Sequence, residues 1–220
     1  MQKLFIDFEP DGQVTLNEEQ SRHIAKSLRM RKGDMLTLTS GNGNDYGCII
    51  ENTNGGLVTL SVCYKQANNS EPSVKVTLYQ GVPKSSKLED VIQKCTELGI
   101  SAICPTLTNR SVSRPDEKSA KKKKQRYEKI ALEAAQQSGR GIVPEIMDMT
   151  SLEKAVKNDD SELKILFYEG GGESLKSMIN QDIKSVSIYI GPEGGFEEKE
   201  VELIKASGGK IASLGPRILR

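Results

Sequence analysis

The sequence predicts an α/β domain on a mainly parallel sheet, preceded by a small β-rich barrel. From residue 1 to about 70, short β-branched and aromatic runs alternate with turn signals around one brief helical pattern. After a polar stretch the rhythm becomes strand, helix, strand with short joints, which implies parallel pairing through right-handed crossovers. A third observation points to the chemistry. Residues 186–196 read V-S-I-Y-I-G-P-E-G-G-F, a strand that stops at a bare glycine-proline loop before a helical pattern opens.

In the first domain, residues 1–70, candidate strands lie at 4–6, 14–16, 35–38, 46–50 and 57–62. Asp11-Gly12, Lys32-Gly33-Asp34, Gly41-Asn42-Gly43 and Asn54-Gly55-Gly56 separate them. The run G-N-G-N-D-Y-G at 41–47 imitates a dinucleotide loop, but it leads into a strand and reads as a hairpin. His23, the one histidine, sits in a short amphipathic helical pattern and reads as a surface or half-buried structural residue. A serine-hydrolase triad or a histidine-rich zinc site therefore lacks raw material, and no metal is expected. Residues 64–73 are polar and read as a linker.

The second domain, residues 71–220, begins with a strand at 74–80 and a helix at 86–98. Leu88, Val91, Ile92, Cys95 and Leu98 share one face of that helix, Ser86 and Glu89 suggest a capping box, and Gly99 a stop. A strand at 102–104 follows, then helix 121–138, strand 142–146, helix 152–157 and strand 163–168. Helix 174–179, strand 186–190, helix 198–206 and strand 210–214 complete the alternation.

Lys plus Arg (31) nearly balance Asp plus Glu (30), so no global field draws the chain to nucleic acid and any basic surface is local. Cys48, Cys63, Cys95 and Cys104 form no C-x-x-C pair and read as buried free thiols in a reducing compartment. The N-terminus lacks a long apolar core and no stretch has the apolar length of a membrane span, so a soluble, cytoplasmic protein is expected.

Three late strands end in unusual loops: 169–172 (E-G-G-G), 191–195 (G-P-E-G-G) and 214–220 (L-G-P-R-I-L-R). Should their strands be neighbours, the loops converge on one cleft. No G-x-x-x-x-G-K-[ST] pattern is present, and Glu169 and Glu193 place carboxylates where a triphosphate would be repelled. A ligand of cationic character with an adenine edge suits this lining better.

G-P-E-G-G-F followed by L-G-P-R-I-L-R, with E-A-A-Q-Q-S-G-R upstream and K-C-T-E-L-G-I before P-T-L-T-N-R-S, resembles the bacterial RsmE family. These SPOUT-superfamily methyltransferases modify N3 of one uridine in 16S ribosomal RNA with S-adenosylmethionine. The resemblance covers nearly the whole chain. It implies a PUA-like barrel, a SPOUT domain with a trefoil knot, and a homodimer acting on 16S rRNA or the small ribosomal subunit. Family members continue past R-I-L-R with a T-E-T-A segment and a further helix that completes the knot and much of the dimer contact, whereas this sequence stops at Arg220. The family's cofactor loops map onto Leu166 and Glu169; onto Ile190, Gly191, Pro192, Glu193, Gly194 and Gly195; and onto Leu214, Gly215, Arg217, Ile218 and Leu219.

Uracil N3–H is a poor nucleophile until its proton leaves or its carbonyls are polarised, and guanidinium groups stabilise the developing anion. Arg140, Arg217 and Arg220 are the catalytic candidates, with Arg110 weighed for catalysis and assigned to RNA binding. No general base stands out; Glu133, Glu169 and Glu193 qualify only with raised pKa values. For RNA, Lys121, Lys122, Lys123 and Lys124, flanked by Lys118 and Arg126, cluster at a helix start, where an anionic partner would relieve their repulsion. Arg22, Lys26, Arg29 and Arg31, with Lys3 and Lys32, suggest a second basic face. The rival readings are a non-catalytic RNA-binding or ribosome-assembly protein and, ranked lower, a nucleotide hydrolase.

Overall fold

The computed structural model describes residues 2–53, 55–179 and 182–215. They divide into two units, Met1–Glu71 with Leu132–Val143, and Pro72–Ala131 with Pro144–Arg220.

In the first unit, β1 (Gln2–Phe5), β2 (Gln13–Thr15), β3 (Met35–Thr39), β4 (Asn44–Asn52) and β5 (Thr59–Ala67) form one sheet in the order β1-β3-β4-β5-β2. Among the described residues only β1 and β3 of this sheet pair in parallel, and Cys63, expected to be buried, is exposed where β5 runs out past the core. Leu36, Leu38, Cys48, Ile50 and Leu60 lead its buried cluster, each at most 1% exposed. The 41–47 run is a hairpin, with Gly41 and Gly43 at φ 74 and 78, where an L side chain is strained. Helix α1 (Glu18–Arg22), capped reciprocally by Asn17 and Gln20, widens into a π-turn at His23–Ser27 that buries Ile24 and leaves His23 exposed.

The expected linker is corrected in part. β5 runs on to Ala67, pairing Lys65 with Tyr46, Gln66 with Asp45 and Ala67 with Asn44. Ladder bonds use the backbone, so these polar side chains extend the strand while staying in water.

A buried polar network pins residues 139–142 within this unit. Lys3 Nζ donates to both Asp45 oxygens at 2.8 Å and to the Gly139 carbonyl at 2.9 Å, and its side chain is 6% exposed. Asn68 Nδ2 donates to Asp45 at 2.9 Å. Arg140 donates through Nε and Nη2 to Glu71 at 3.2 and 2.6 Å, and Glu71 Oε1 also accepts from the Gly141 and Ile142 N–H groups. Lys3 is therefore committed here and is not part of a basic face.

The second unit holds β6 (Lys75–Gly81), α2 (Lys87–Glu97), β7 (Ala102–Leu107), the start of α3 (Glu117–Ser138), β8 (Glu145–Ile146), β9 (Thr150–Ser151) and α4 (Leu152–Asn158). β10 (Leu163–Phe167), β11 (Glu173–Ser174), α5 (Leu175–Met178), β12 (Ser185–Ile190), α6 (Glu198–Ala206) and β13 (Lys210–Ser213) follow. The strands form one sheet in the order β11-β13-β10-β12-β6-β7-β8, with β9 beside β7, and every ladder among the described residues is parallel. Helices α4 and α6 cover one face through Leu152, Val156, Val201 and Ile204, which pack with Leu166 and Tyr189.

Three local expectations fail for identifiable reasons. Ser86 takes φ -91 and ψ 6, away from the extended N-cap conformation, and makes no side-chain cap bond, while the Glu89 carboxylate goes to Arg126 at 2.6 Å, so no capping box forms. Leu98 is 84% exposed: it follows the last turn, just before Gly99 reverses the chain at φ 94. The strand expected at 142–146 shrinks to β8, since Glu71 takes the Ile142 N–H and Pro144 has no donor. The knot expected from the family resemblance draws on the C-terminal segment, of which residues 216–220 lie outside the described residues. Among the described residues no helix is long and apolar enough to cross a membrane.

Candidate active site

β13, β10 and β12 are consecutive neighbours in a parallel sheet, so the three glycine-containing loops leave the same edge. The middle loop, 191–195, follows β12 and doubles back on itself. The Gly195 N–H donates to the Pro192 carbonyl at 2.9 Å, Gly195 takes φ 69, and a Cβ on Gly191 would lie 3.1 Å from the Gly195 backbone.

This loop is walled from both sides. At the end of β6, a Cβ on Gly81 would fall 2.5 Å from Pro192 Cδ and 2.6 Å from Pro192 N, so the close approach requires glycine. Gln80, buried, donates to the Gly191 carbonyl at 3.3 Å. From the β10 side, Glu169 Oε1 lies 3.3 Å from where a Gly195 Cβ would sit, which puts an exposed carboxylate against bare main chain. Farther along that segment, a Cβ on Gly172 would lie 2.6 Å from the Ile211 carbonyl of β13. An open cleft of about 580 Å³ lies on the outer side of that segment, lined by Gly170, Gly171 and Gly172, by Val201 and Lys205 of α6 and by Ile211 of β13, and not by the 191–195 loop.

The other expected cofactor residues are placed as follows. Leu166 is fully buried, its backbone laddered to Tyr189 and Ile211, so it can only floor the site. Pro192 is buried, Ile190 half-buried, and Leu214 and Gly215 exposed. Arg217, Ile218, Leu219 and Arg220 lie outside the described residues. Glu193 does not contribute a bare charge. Its carboxylate accepts from Lys87 Nζ at 2.8 Å and from the Lys84 N–H, contacts that hold its pKa down at about 2. The charge argument against phosphate therefore rests on Glu169 and on the absence of a lysine in the loop.

Arg110 stands where the site needs a cation. Its Nη1 donates to the Gly194 carbonyl at 2.7 Å. The loop that carries it, after β7, is tied down at Thr108 by Ser111, and at Asn109 by Glu197 and Glu200. Arg140 belongs to the first unit, where its 4% exposed side chain is paired with Glu71. A guanidinium buried with a carboxylate organises local backbone, and we assign Arg140 that role instead of contact with a reacting base.

Below the middle loop, Tyr189 of β12 stacks on Tyr79 of β6 with ring centroids 4.7 Å apart. Its hydroxyl donates to buried Asp159 at 2.7 Å, and burial followed by that carboxylate pushes its pKa upward. Such a phenol stays neutral and serves as rigid flooring.

The lysine cluster lies in the first turns of α3. Lys121 pairs with Glu117, Lys124 with Asp148 and Arg126 with Glu89, while Lys122 is exposed and Lys123 half-buried. Arg22, Lys26, Arg29 and Arg31 are exposed, and among the described residues none forms an ion pair. No metal-holding group of His, Cys, Asp or Glu occurs among the described residues.

Sequence reasoning missed Gly81, Gln80 and Glu200. Gly81 carried a signal, since Q-G-V-P places a glycine and a proline at the end of a strand, as the loop it touches does with G-P. Glu200 was legible only as the fourth residue of E-E-K-E, a helix-start pattern whose second partner lies far away in sequence. Taken together, bare backbone, one carboxylate and a nearby guanidinium can hold a cation-bearing ligand and polarise an acceptor beside it.

Comparison with known proteins places the chain in a family. An RNA methyltransferase domain family matches residues 69–220 and an RNA methyltransferase PUA domain family matches residues 16–63. The chain is 36% identical over its full length, and 91% of the relative's, to a ribosomal RNA small subunit methyltransferase E of Bacillus subtilis. A solved Neisseria gonorrhoeae ribosomal RNA small subunit methyltransferase E bound to S-adenosyl methionine superposes with TM-score 0.92 at 25% identity, covering 100% of this chain and 91% of that one. A Legionella pneumophila putative methyltransferase with bound cofactor gives 0.89 at 29%, covering 99% and 90%.

Proposed function

The chain belongs to the ribosomal RNA small subunit methyltransferase E family, and from that premise we propose that it methylates N3 of a uridine in 16S rRNA. It is a methyltransferase of small-subunit ribosomal RNA dependent on S-adenosylmethionine, in a fold that joins a PUA-like domain to a SPOUT-type domain. The observation that carries the site assignment is the contact of Glu169 and Gly81 with opposite sides of the 191–195 loop. S-adenosylmethionine, when bound, supplies a methyl group on a sulfonium.

The residues present fit that group. Main chain at Gly191, Gly194 and Gly195 carries no side chain of its own, and the Glu169 carboxylate favours a cationic centre beside it. Ile190 and Leu166 form apolar floor, while Leu214 and Gly215 begin the third wall, to which Arg217, Ile218 and Leu219 belong in this reading. Arg110, with Arg217 and Arg220, would polarise the uracil carbonyls so that the N3 proton can pass to water, and would hold the base against the loop. The exposed basic residues of the first unit, Arg22, Lys26, Arg29 and Arg31, and those of α3 grip rRNA, within the small subunit or free. The protein acts as a homodimer in the cytoplasm, and the trefoil knot belongs to the same proposal.

The decisive experiment supplies isotopically labelled S-adenosylmethionine and small subunits lacking the modification, then maps the methyl group. Label on uridine N3 supports the reading. Label on another atom or on ribose overturns the specificity, and no label at all overturns the activity.

A further inference from the structure

We propose that Glu200 is a positioning residue for methyl transfer that acts through Arg110, an inference resting on the methyltransferase reading above. Glu200 lies in the first turn of α6 and is 6% exposed. Its two oxygens serve different segments. Oε2 accepts from the Glu197 N–H at 2.8 Å and completes the helix cap, whereas Oε1 accepts from the Asn109 N–H at 2.8 Å, in the loop after β7. The cap needs only the first of these bonds, and a glutamine would supply it without a buried charge.

The second bond has a different consequence. Asn109 is gripped twice, because its Nδ2 also donates to Glu197 Oε2 at 2.8 Å. Fixing Asn109 fixes its neighbour, and Arg110 then reaches the Gly194 carbonyl at 2.7 Å. The approach is close: a Cβ on Gly194 would stand 3.2 Å from Arg110 Cβ. A charge-assisted bond from a buried carboxylate to main chain is short and directional, so it suits holding a loop to within a fraction of an ångström. Arg110 is exposed and has five N–H donors, of which Nη1 takes the Gly194 carbonyl, so others remain for an RNA carbonyl or phosphate. In this arrangement Glu200 sets where that guanidinium stands relative to the loop, and touches neither substrate nor cofactor itself.

The test is a double-mutant cycle on methyl transfer to the small subunit, with E200Q, R110A and the pair, alongside calorimetric S-adenosylmethionine affinity. Gln keeps one acceptor and turns an amide donor onto the other N–H. E200Q should lower kcat about tenfold, the value of one lost charge-assisted bond, with cofactor affinity within about twofold. The pair should be no worse than R110A alone, since residues acting as a unit are non-additive. An additive pair, a silent R110A, or a loss in E200Q matched by cofactor affinity overturns the proposal. Should E200Q fail to fold by circular dichroism, E200D carries the same cycle, keeping the charge but too short to reach both the Glu197 and the Asn109 N–H groups. An inactive wild type sinks the parent activity and this inference together, whereas an active wild type with an additive cycle sinks this inference alone.

Discussion

Gly81 shapes the site from a strand outside the three glycine-rich loops. Because its missing Cβ would meet Pro192 at 2.5 Å, Gly81→Ala must drive the 191–195 loop outward. Cofactor affinity measured by calorimetry should fall at least tenfold, about 1.4 kcal/mol, and unchanged affinity would remove that loop from the site. Arg140 makes the opposite case, a residue whose motif suggested chemistry and whose surroundings supply structure. Arg140→Ala leaves Glu71 without its guanidinium, and chemical denaturation should show a loss of about 3 kcal/mol. Wild-type stability in that variant would show that the pair contributes nothing. The pairing was not legible because Glu71 lies 69 residues upstream, at the end of a stretch whose composition reads as linker.

Elements were legible where one periodicity governed them. α6 begins and ends at the expected residues, and the strands before all three loops are in place, because each has its own apolar alternation and stop signal. Failure follows where a distant partner claims a local donor or acceptor, as Glu71 claims the Ile142 N–H from the expected strand. Segment 139–142 gives such a long-range tie a measurable signature. Burial alone would raise the pKa of Glu71, but Arg140 and the Gly141 and Ile142 N–H groups outweigh it and hold the carboxyl below its ordinary 4.5. The folded state thus favours the ionised form. Its stabilisation is complete above about pH 4.5 and drains away as pH falls through the lower folded value. Melting temperatures between pH 6 and pH 3 should fall less steeply in E71Q than in the wild type, and parallel curves would refute the assignment.

For the whole molecule, a net charge of +1 means that affinity for RNA depends on where charge is placed. Surface pairs such as Lys121 with Glu117 contribute little, so those lysines can exchange their partners for phosphates. Replacing Lys122 and Lys123 by Gln should make log affinity for the small-subunit RNA shallower in log salt by roughly 1.5 units. An unchanged slope would take α3 out of the RNA surface. The sequence showed three loops but not their neighbourhood, since β13 lies beside β10 through pairing that no local pattern encodes. The same sheet order that gathers the loops also stacks Tyr79 on Tyr189 directly under the middle one. The chain has no tryptophan and only six tyrosines, so this stacked ring pair should contribute strongly to its near-ultraviolet circular dichroism. The protein thus carries an intrinsic optical reporter beneath its catalytic edge, able to follow ligand entry and loop displacement in solution without a label.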